Sequence, residues 1–391
     1  MVEIKDFEDV EWARTNLSLP NIQSVELTST SGTGGLGGAA LHRMIITLLD
    51  ANTSNSKLHL MLKSGVSQDG RTREAFFYKA IRDRNPQFAF LSACVIPTVY
   101  VFGDMATGTK HIIMDDLTAS GFVQCGSFYG ACSPHNWNKN LQELTNTATE
   151  TERRTLTHLI TINAFKAAAK IHARSWNSYV LLADKNVSWL RAFEWYNGSG
   201  ETSWQASQEY AASAWRKTNS STTTKTVKFD PHLIACMNAS FSKTSWTGFQ
   251  TRIKTNPFSL VHGDYHPANL MFRRADDALM VLDWEVVGLG SGPQDVAQYL
   301  ISHMYPEERR MWEMEFLQAY YDTLVGDGVD GYSFEDCRRD YVAGGVARWV
   351  WLLGLLTILC PDEWVQFFQD QLLAFIVDHG VTPDNIEMPR V

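Results

Sequence analysis

The sequence predicts an α+β fold, with a small strand-rich part followed by a larger, mainly helical part. Apolar residues in the first third form short alternating runs between turn residues, as they do in strands. From Thr151 they recur every three to four residues among good helix formers, as in "ERRTLTHLITINAFKAAAKIHARSW". With 391 residues, 45% of them hydrophobic, the chain can bury the core of two domains or of one bilobal unit.

The strand-rich part contains three runs with strand character, one helical segment and two further β-rich runs. The strand runs are "SVELTST", "HRMIITLL" and "SKLHLMLKSG", the helix is "TREAFFYKAIRDR", and the last two runs are "CVIPTVYVFGD" and "KHIIMDDL". The composition changes near 115–121. We therefore predict an N-terminal lobe at 1–116 and a C-terminal lobe at 117–391.

The net charge indicates the class of partner, and the amino-terminal segment indicates the location of the protein. A net charge of −9 with no long Lys/Arg run gives no general attraction to nucleic acid or to anionic membranes, and it weakly favours a cationic small molecule. The start "MVEIKDFEDVEW" is acidic and lacks the basic and apolar regions of a secretory signal, which predicts a cytoplasmic protein. The oligomeric state cannot be inferred from the sequence.

Two other features are interpreted as structural. The six cysteines are spread without C-x-x-C pairs, so neither a zinc site nor a dense disulfide framework is indicated. The run "VARWVWLLGLLTILC" is strongly apolar, but Arg348 interrupts it and acidic residues follow it. Fewer than the ~20 apolar residues of a membrane-spanning helix remain, so we predict a buried helix.

The stretch "SLVHGDYHPANLMF", which begins at Ser259, places polar side chains between two apolar patches. Asp264 and Asn269 are five residues apart, and Asp283 ends the apolar run of "LMVLDWEVVG". A hairpin that turns at "RRADDA" would bring Asn269 and Asp283 together. A carboxylate and an amide form a hard-oxygen site suited to Mg²⁺, and Asp264 would stand beside it as a base or acceptor for an attacking hydroxyl.

The pair "HGDYHPANLMF" and "LDWE" resembles the catalytic loop and metal-binding segment of the aminoglycoside phosphotransferase and choline kinase superfamily, including its ecdysteroid-kinase-like branch. The resemblance implies a bilobal protein-kinase-like fold, with Asp264 as the catalytic aspartate and Asn269 and Asp283 as metal ligands. Trp284 and Glu285 stand where protein kinases have Phe and Gly, which favours the small-molecule branch.

The resemblance also implies a nucleotide site upstream. Lys63, which ends an alternating strand, would hold the α- and β-phosphates, and Glu74 in the next helix would be its ion-pair partner. In "HIIMDDL", backbone groups of the segment from Met114 through Asp115 and Asp116 to Leu117 would hold adenine. Taken alone, Lys63 would be interpreted as a solvated residue at a strand end, and Glu74 as an exposed acidic residue on a helix. Because both occur in the order that the family motifs require, the nucleotide-site interpretation is favoured.

The glycine cluster "GTGGLG" fits G-x-G-x-x-G, with Gly32, Gly34 and Gly37 as its glycines. This pattern is shared by dinucleotide-binding loops, which open a helix, and by kinase phosphate loops, which join two strands. The following "AALHRMIITLL" leaves the local choice open. The downstream motifs favour the kinase loop, although the exact register is uncertain.

Nearby polar residues receive supporting roles. His262 is expected to pack and hydrogen-bond beneath the loop, and His172 to be a satisfied core histidine. His266 is expected to be either a loop brace or an acceptor contact. Asp295, in "GPQDVAQYL", resembles a capping and bracing residue of the family rather than a reacting one.

The predicted function is transfer of the γ-phosphoryl group of ATP, or GTP, with Mg²⁺ to a hydroxyl of a small molecule. Amino alcohols, aminoglycoside-like compounds, sugars and steroid-like alcohols all remain open as acceptors, because aromatic segments of the C-terminal part suit either a cationic amine or an apolar alcohol. The alternatives are a nucleotide-binding pseudokinase, a protein kinase, against which the lack of D-F-G and A-P-E segments counts, and a dehydrogenase built on the glycine cluster.

Overall fold

The computed structural model describes residues 4–34, 39–49, 56–66, 73–84, 86–101, 109–130, 133–220 and 225–391. The chain divides into two compact units. The first unit comprises Met1–Val123 and Met271–Glu285, and the second comprises Gln124–Leu270 and Val286–Val391. The predicted α+β class is confirmed. The first unit ends later than predicted and includes 271–285, which the sequence had grouped with the C-terminal lobe.

The first unit is built on a five-stranded antiparallel sheet with strand order β1-β2-β3-β5-β4. Its strands are β1 (Ile22–Gly34), β2 (Ala39–Leu48), β3 (Ser56–Val66), β4 (Val99–Val101) and β5 (Thr109–Asp115). Alternate residues of the central strands, such as Met44 and Leu60, are fully buried in one apolar cluster, as the alternation in the sequence requires.

Two helices accompany this sheet. The helix α1 (Val10–Leu17), which the sequence did not reveal, is capped by Asp9 and packs Ala13 and Leu17 into the same cluster. The helix α2 (Arg73–Arg82) confirms the predicted helical segment.

The segment 271–285 joins the first unit through apolar packing. The strands β6 (Val123–Gln124), β8 (Leu270–Arg273) and β9 (Ala278–Val281) form a sheet of order β6-β8-β9. Met271, Met280 and Leu282 pack with Leu117 and Phe122 in a single cluster. These contacts explain why a segment distant in sequence is assigned to the first unit.

The second unit is mainly helical, with one small antiparallel pair of strands, β7 (Ser259–Val261) and β10 (Gly288–Gly290). Its helices are α3 (Leu141–Thr145), α4 (Glu150–Ala173), α5 (Tyr179–Ala183), α6 (Phe193–Tyr196), α7 (Glu201–Thr218), α8 (Pro231–Ser242), α9 (Trp246–Ile253), α10 (Gly292–His303), α11 (Pro306–Gly326), α12 (Phe334–Leu359) and α13 (Asp362–Asp378). Short 3₁₀ turns join several of these elements throughout the chain, at Ile4–Glu8, Pro86–Ala93, Cys125–Tyr129, Pro134–Asn136, Lys185–Val187, Pro267–Asn269 and Trp284–Val286.

The helix α12 contains the apolar run noted in the sequence. Among the described residues it is the one helix whose length and composition would allow it to cross a membrane. It packs against α7, α10 and α13, and most of the residues in its apolar stretch are buried, as the prediction of an interior helix requires. The cysteines at 94, 125, 236, 337 and 360 are free and buried, and Cys132 lies outside the described residues.

Candidate active site

The first unit joins the buried Lys63 and Glu74 with the partly buried Asp283 in one cluster. The Lys63 Nζ lies 3.1 Å from Glu74 Oε2 and 2.6 Å from Asp283 Oδ1. Lys63 is 7% exposed and Glu74 is 2% exposed. The predicted ion pair is therefore present. Both side chains are buried, so the simpler interpretation of each as a solvated surface charge does not apply.

The local structure explains how Asp283 reaches this cluster. The Trp284 ring is fully buried and stacks on Phe77 of α2, with ring centroids 4.2 Å apart and planes 17° apart. Its Nε1 donates to the Val281 carbonyl at 3.1 Å. Asp283 itself has a φ of +61°, in the left-handed region that is costly for most non-glycine residues. The stack thus fixes the "DWE" segment against the helix that carries Glu74.

In this cluster two carboxylates share one lysine, so the negative charges are not fully neutralised. Burial and the nearby Glu74 raise the pKa of Asp283 to about 6, even though Lys63 acts in the opposite direction. Burial alone would lower the pKa of Lys63, but the charges of Glu74 and Asp283 outweigh it and raise that pKa. The cluster therefore holds more negative charge than the lysine neutralises.

The same cluster can accommodate a divalent cation. Carboxylate oxygens of Glu74, Asp283 and Glu285 lie within 4.8 Å of one another. Oxygen ligands of this kind suit Mg²⁺, and the raised pKa of Asp283 indicates a site where added positive charge is favourable. Glu285 is a candidate ligand that sequence reasoning did not include, although its spacing two residues after Asp283 was visible.

Several polar groups of the predicted adenine-binding segment already form hydrogen bonds within the protein. Asp116 is 2% exposed, and its carboxylate accepts hydrogen bonds from the backbone N–H and hydroxyl of Thr118 and from the Arg43 Nε. The Asp115 and Asp116 backbone N–H groups donate to the Thr98 and His59 carbonyls, each at 3.0 Å. An adenine ring would need other backbone groups of Met114–Leu117, whose role stays a prediction.

The glycine cluster begins at the end of β1. Gly32 and Gly34 belong to this strand, and Gly34 pairs with Ala39 at the start of β2. Gly37 lies outside the described residues. The segment that follows is a strand, so the dinucleotide-binding alternative lacks the helix that it requires.

In the second unit, the catalytic-loop motif brings Asp264 and Asn269 together. The Asn269 Nδ2 donates to the Asp264 backbone carbonyl at 3.0 Å and to its Oδ2 at 3.3 Å. The Gln298 Nε2 donates to the other carboxylate oxygen, Oδ1, at 2.8 Å. Because the Asn269 nitrogen is directed to Asp264, its amide oxygen is the atom it can offer to a metal. Asn269 and Asp283 belong to different units, and their pairing stays a prediction.

Buried charges hold the backbone of this loop. The Asp295 carboxylate accepts from the backbone N–H groups of His262 at 2.7 Å and Gly263 at 3.1 Å, which agrees with the bracing role inferred for it. The Arg348 Nη2 donates to the Gly263 carbonyl at 2.7 Å. Gly263 has a φ of +80°, and a Cβ there would lie 2.8 Å from the Val286 carbonyl oxygen, so only glycine fits.

These neighbours set the charge state of Asp264. Burial opposes ionisation of this carboxyl group, but His266, Arg348 and His262 outweigh that effect and hold its pKa well below the usual range. The side chain is 41% exposed, so solvent weakens each of these interactions. Asp264 is therefore a carboxylate at neutral pH, ready to accept a hydrogen bond from a hydroxyl.

The structure shows the surroundings of two of the histidines singled out in the sequence, His172 and His266. His172 is buried and hydrogen-bonds Tyr320 at 2.9 Å and Asp295 at 3.4 Å, so it is a satisfied core histidine. His266 lies 3.4 Å from the Asp264 carboxylate and stacks on His303 with ring centroids 5.3 Å apart. These contacts agree with the loop-brace role of His266, and its other expected role, an acceptor contact, stays a prediction.

An open pocket lies beside this loop, within the second unit. The lining includes the loop residue Gly263 and, on α10, Gln294, one helical turn before the Gln298 that contacts Asp264. Its aromatic walls are formed by Trp195, Tyr196, Trp204 and Phe249.

Sequence reasoning missed Gln298 and the role of Arg348. Gln298 stood inside the quoted "GPQDVAQYL", but its contact with Asp264 spans 34 residues and has no local signature. Arg348 was visible as a charge inside an apolar run. A buried charge requires polar partners, and this requirement was the signal available in the sequence.

The comparisons with known proteins agree with the motif. A family model described as the ecdysteroid kinase-like family matches residues 147–327, somewhat less than half of the chain. A comparison with curated protein sequences gives no significant match.

Among solved structures, this chain is similar to an ethanolamine kinase from Plasmodium vivax, with a TM-score of 0.48 and 11% identity over 92% of this chain and 83% of the other. It is also similar to the choline kinase LicA from Streptococcus pneumoniae, with a TM-score of 0.47 and 14% identity over 93% and 97% of the two chains. Within residues 147–327 the chain has the sequence pattern of the ecdysteroid kinase-like family, and the resemblance inferred from its catalytic-loop and metal-binding motifs is confirmed.

Proposed function

We propose that this protein is an ATP-dependent phosphotransferase that phosphorylates a hydroxyl group of a small molecule. The observation that carries the proposal is the buried ion pair of Lys63 with Glu74, which also includes Asp283. A lysine with two carboxylates in a sheet-rich unit is a costly arrangement unless a ligand uses it. Polyphosphate and its metal ion would use both the positive charge and the excess of carboxylates.

The loop in the second unit supports the same reaction. Asp264 is ionised, partly exposed, and oriented by Gln298 and Asn269, so it can accept a hydrogen bond from an acceptor hydroxyl. The match of this region to the ecdysteroid kinase-like family supports the assignment. A carboxylate with a low pKa is a weak base, so its main contribution is to orient the hydroxyl and receive its proton late in the reaction.

The transfer step is a displacement at phosphorus. The acceptor oxygen forms a bond to the γ-phosphorus of ATP while the bond from that phosphorus to the β,γ-bridging oxygen breaks. ADP leaves with the electron pair of that bond, and the hydroxyl proton passes to Asp264 and then to solvent. Lys63, fixed by Glu74, would bind the α- and β-phosphates. Mg²⁺, held by Asp283 with Asn269 or Glu285, would neutralise charge on the phosphate oxygens when bound.

The test combines nucleotide binding with a search for the acceptor. Purified protein is incubated with Mg-ATP and a pooled library of alcohols, amino alcohols and sugars, and phosphorylated products are identified by mass spectrometry. Replacement of Asp264 by Ala should lower turnover about a hundredfold or more while ATP binding persists. The matched control is Asp276→Ala, an exposed aspartate in the β8–β9 turn that pairs with Arg273.

Each outcome separates the alternatives. A product made by the wild type and the control variant but not by Asp264→Ala supports the kinase. ATP binding that Lys63→Met abolishes, without any product from an extended library, would favour a nucleotide-binding pseudokinase. Failure of the wild type to bind ATP or GTP would show that the interpretation of Lys63 and Asp283 is wrong.

A further inference from the structure

The aromatic pocket beside the catalytic loop carries positive rather than negative charge. Arg191, Arg252 and Arg390 line it, and no Asp or Glu is among the described residues of its lining. The sequence had left a cationic amine open as the acceptor, because of the aromatic segments of the C-terminal part and, more weakly, because of the acidic net charge. The local charge of the pocket is opposite to the net charge of −9 of the chain.

Two of these arginines share a single carboxylate. Glu387 pairs with Arg252 at 2.5 Å and with Arg390 at 3.0 Å. The other nearby carboxylate, Asp340, already pairs with Arg339 at 3.2 Å and accepts a hydrogen bond from Tyr332. Two guanidinium groups therefore depend mainly on one shared anion.

Two observations show that these arginines have too few negatively charged or hydrogen-bonding partners. Burial, together with the charge of Arg390, lowers the pKa of Arg252 to about 10. The Arg390 Nε is buried without a hydrogen-bond partner. An unsatisfied N–H on a buried charged group is costly, so the surroundings of Arg390 supply fewer hydrogen-bond acceptors than its guanidinium group requires.

One aromatic ring of the pocket, that of Trp195, already lies near a positively charged side chain. The Arg191 guanidinium lies 5.9 Å from the ring centroid of Trp195 and 5.6 Å from that of Trp351, within cation–π range. A ligand amine would therefore meet a ring that already faces a positive charge. The remaining walls include Trp204 and Phe249, which pack on each other with ring centroids 5.1 Å apart and make this side of the pocket apolar and aromatic.

We propose that the acceptor is an alcohol with a ring-bearing apolar body and an anionic group, either a carboxylate or a sulfur or phosphorus oxyanion, that Arg252 and Arg390 bind. This inference rests on the proposed function, because it is the position of Gly263 and Gln294 in the lining that makes the occupant an acceptor. The planar guanidinium groups match such oxyanions in geometry as well as in charge.

Direct binding tests the charge preference without requiring turnover. The probes are four naphthalenes that each carry a hydroxymethyl group and differ in one substituent: a carboxylate, a sulfonate, a neutral carboxamide or an aminomethyl group. Calorimetry measures their affinities for the full chain. The carboxylate or the sulfonate should bind at least about tenfold more tightly than the carboxamide, and the amine should bind most weakly. The two anionic probes distinguish carboxylate recognition from recognition of a tetrahedral oxyanion.

Variants then assign the preference to the pocket. Arg390→Met should reduce the advantage of the anionic probes to less than about threefold, and Arg390→Lys should retain part of it. Arg216→Met is the control for net charge, because Arg216 is exposed on α7 and pairs with Glu209; it should leave the ranking unchanged. If Arg390→Met does not fold, the ranking of the four probes by the wild type decides the question alone.

The outcomes separate this inference from the proposed function. A wild type that binds the amine as tightly as the acids, or an anion preference that persists unchanged in a folded Arg390→Met variant, overturns the inference even if the protein phosphorylates another alcohol. Anion binding that depends on Arg390, in a protein that transfers phosphate to no probe, would leave the anion site in place and count against its use for an acceptor.

Discussion

Replacement of Asp283 by Asn should stabilise the folded protein at neutral pH while it abolishes phosphotransfer. The pKa of Asp283 is raised from its ordinary 3.8 to about 6 by burial and by Glu74. A carboxyl group with a higher pKa in the folded than in the unfolded state binds its proton more tightly when folded. The free energy of unfolding therefore decreases as the pH rises from about 4 to about 6, and the full penalty is present above that window.

The size of the effect follows from the same shift. A rise from 3.8 to about 6 corresponds to a penalty of at most about 3 kcal/mol. The Asn variant cannot ionise, and Lys63 keeps its pairing with Glu74. We therefore expect the free energy of unfolding of Asp283→Asn to exceed that of the wild type by about 1–3 kcal/mol at neutral pH.

The backbone at this position requires a control. Asp283 has a φ of +61°, and Asn tolerates the left-handed region well, so part of any gain could come from the backbone alone. Asp277, exposed in the β8–β9 turn, has a φ of +55°. The variant Asp277→Asn measures the backbone contribution without the buried charge.

The assay is chemical unfolding followed by tryptophan fluorescence at pH values near 4 and above 7, with no metal or nucleotide present. The advantage of Asp283→Asn over the wild type should be large at the higher pH and should nearly vanish at the lower one. If the variant is less stable than the wild type above pH 7, or gains the same amount at both pH values, the carboxyl group of Asp283 does not carry this penalty.

Two further predictions concern the catalytic loop. Arg348→Met should release the Gly263 carbonyl and remove a positive charge that favours the ionised form of Asp264, so kcat/KM should fall about tenfold or more; an unchanged kcat/KM in a folded variant would contradict this role. Gly263→Ala should destabilise the protein by about 1–3 kcal/mol, because the new Cβ meets the Val286 carbonyl oxygen. Gly328→Ala has a similarly positive φ but no atom within 4 Å of the new Cβ, so thermal unfolding of the pair separates the clash from the backbone strain.

The local elements near the nucleotide site were predictable from the sequence because their patterns are local. The alternation that ends at Lys63 corresponds to β3, and the amphipathic segment that carries Glu74 corresponds to α2. The pairing of these two residues followed from the family resemblance rather than from periodicity. The strand continues past Lys63 to Val66, and burial of both charges was not readable, since exposure depends on what packs against the strand.

The remaining features depend on contacts between distant segments. The assignment of 271–285 to the first unit rests on packing of Met280 and Leu282 against Leu117 and Phe122. The positive charge of the aromatic pocket arises because Arg252 and Arg390, more than a hundred residues apart in sequence, share Glu387. No window of local sequence reports either arrangement, and the net charge of the whole chain suggested the opposite sign.

The discontinuity of the first unit has a consequence for how the chain is made in the cell. Its last segment, Met271–Glu285, leaves the ribosome only after the whole of Gln124–Leu270, a delay on the order of ten seconds or more at typical rates of synthesis. Until then the apolar side chains of Leu117 and Phe122 lack Met271, Met280 and Leu282 as partners. The first unit therefore cannot finish folding when its own amino-terminal portion emerges, and a fragment cut after Val123 would lack the aspartate that pairs with Lys63.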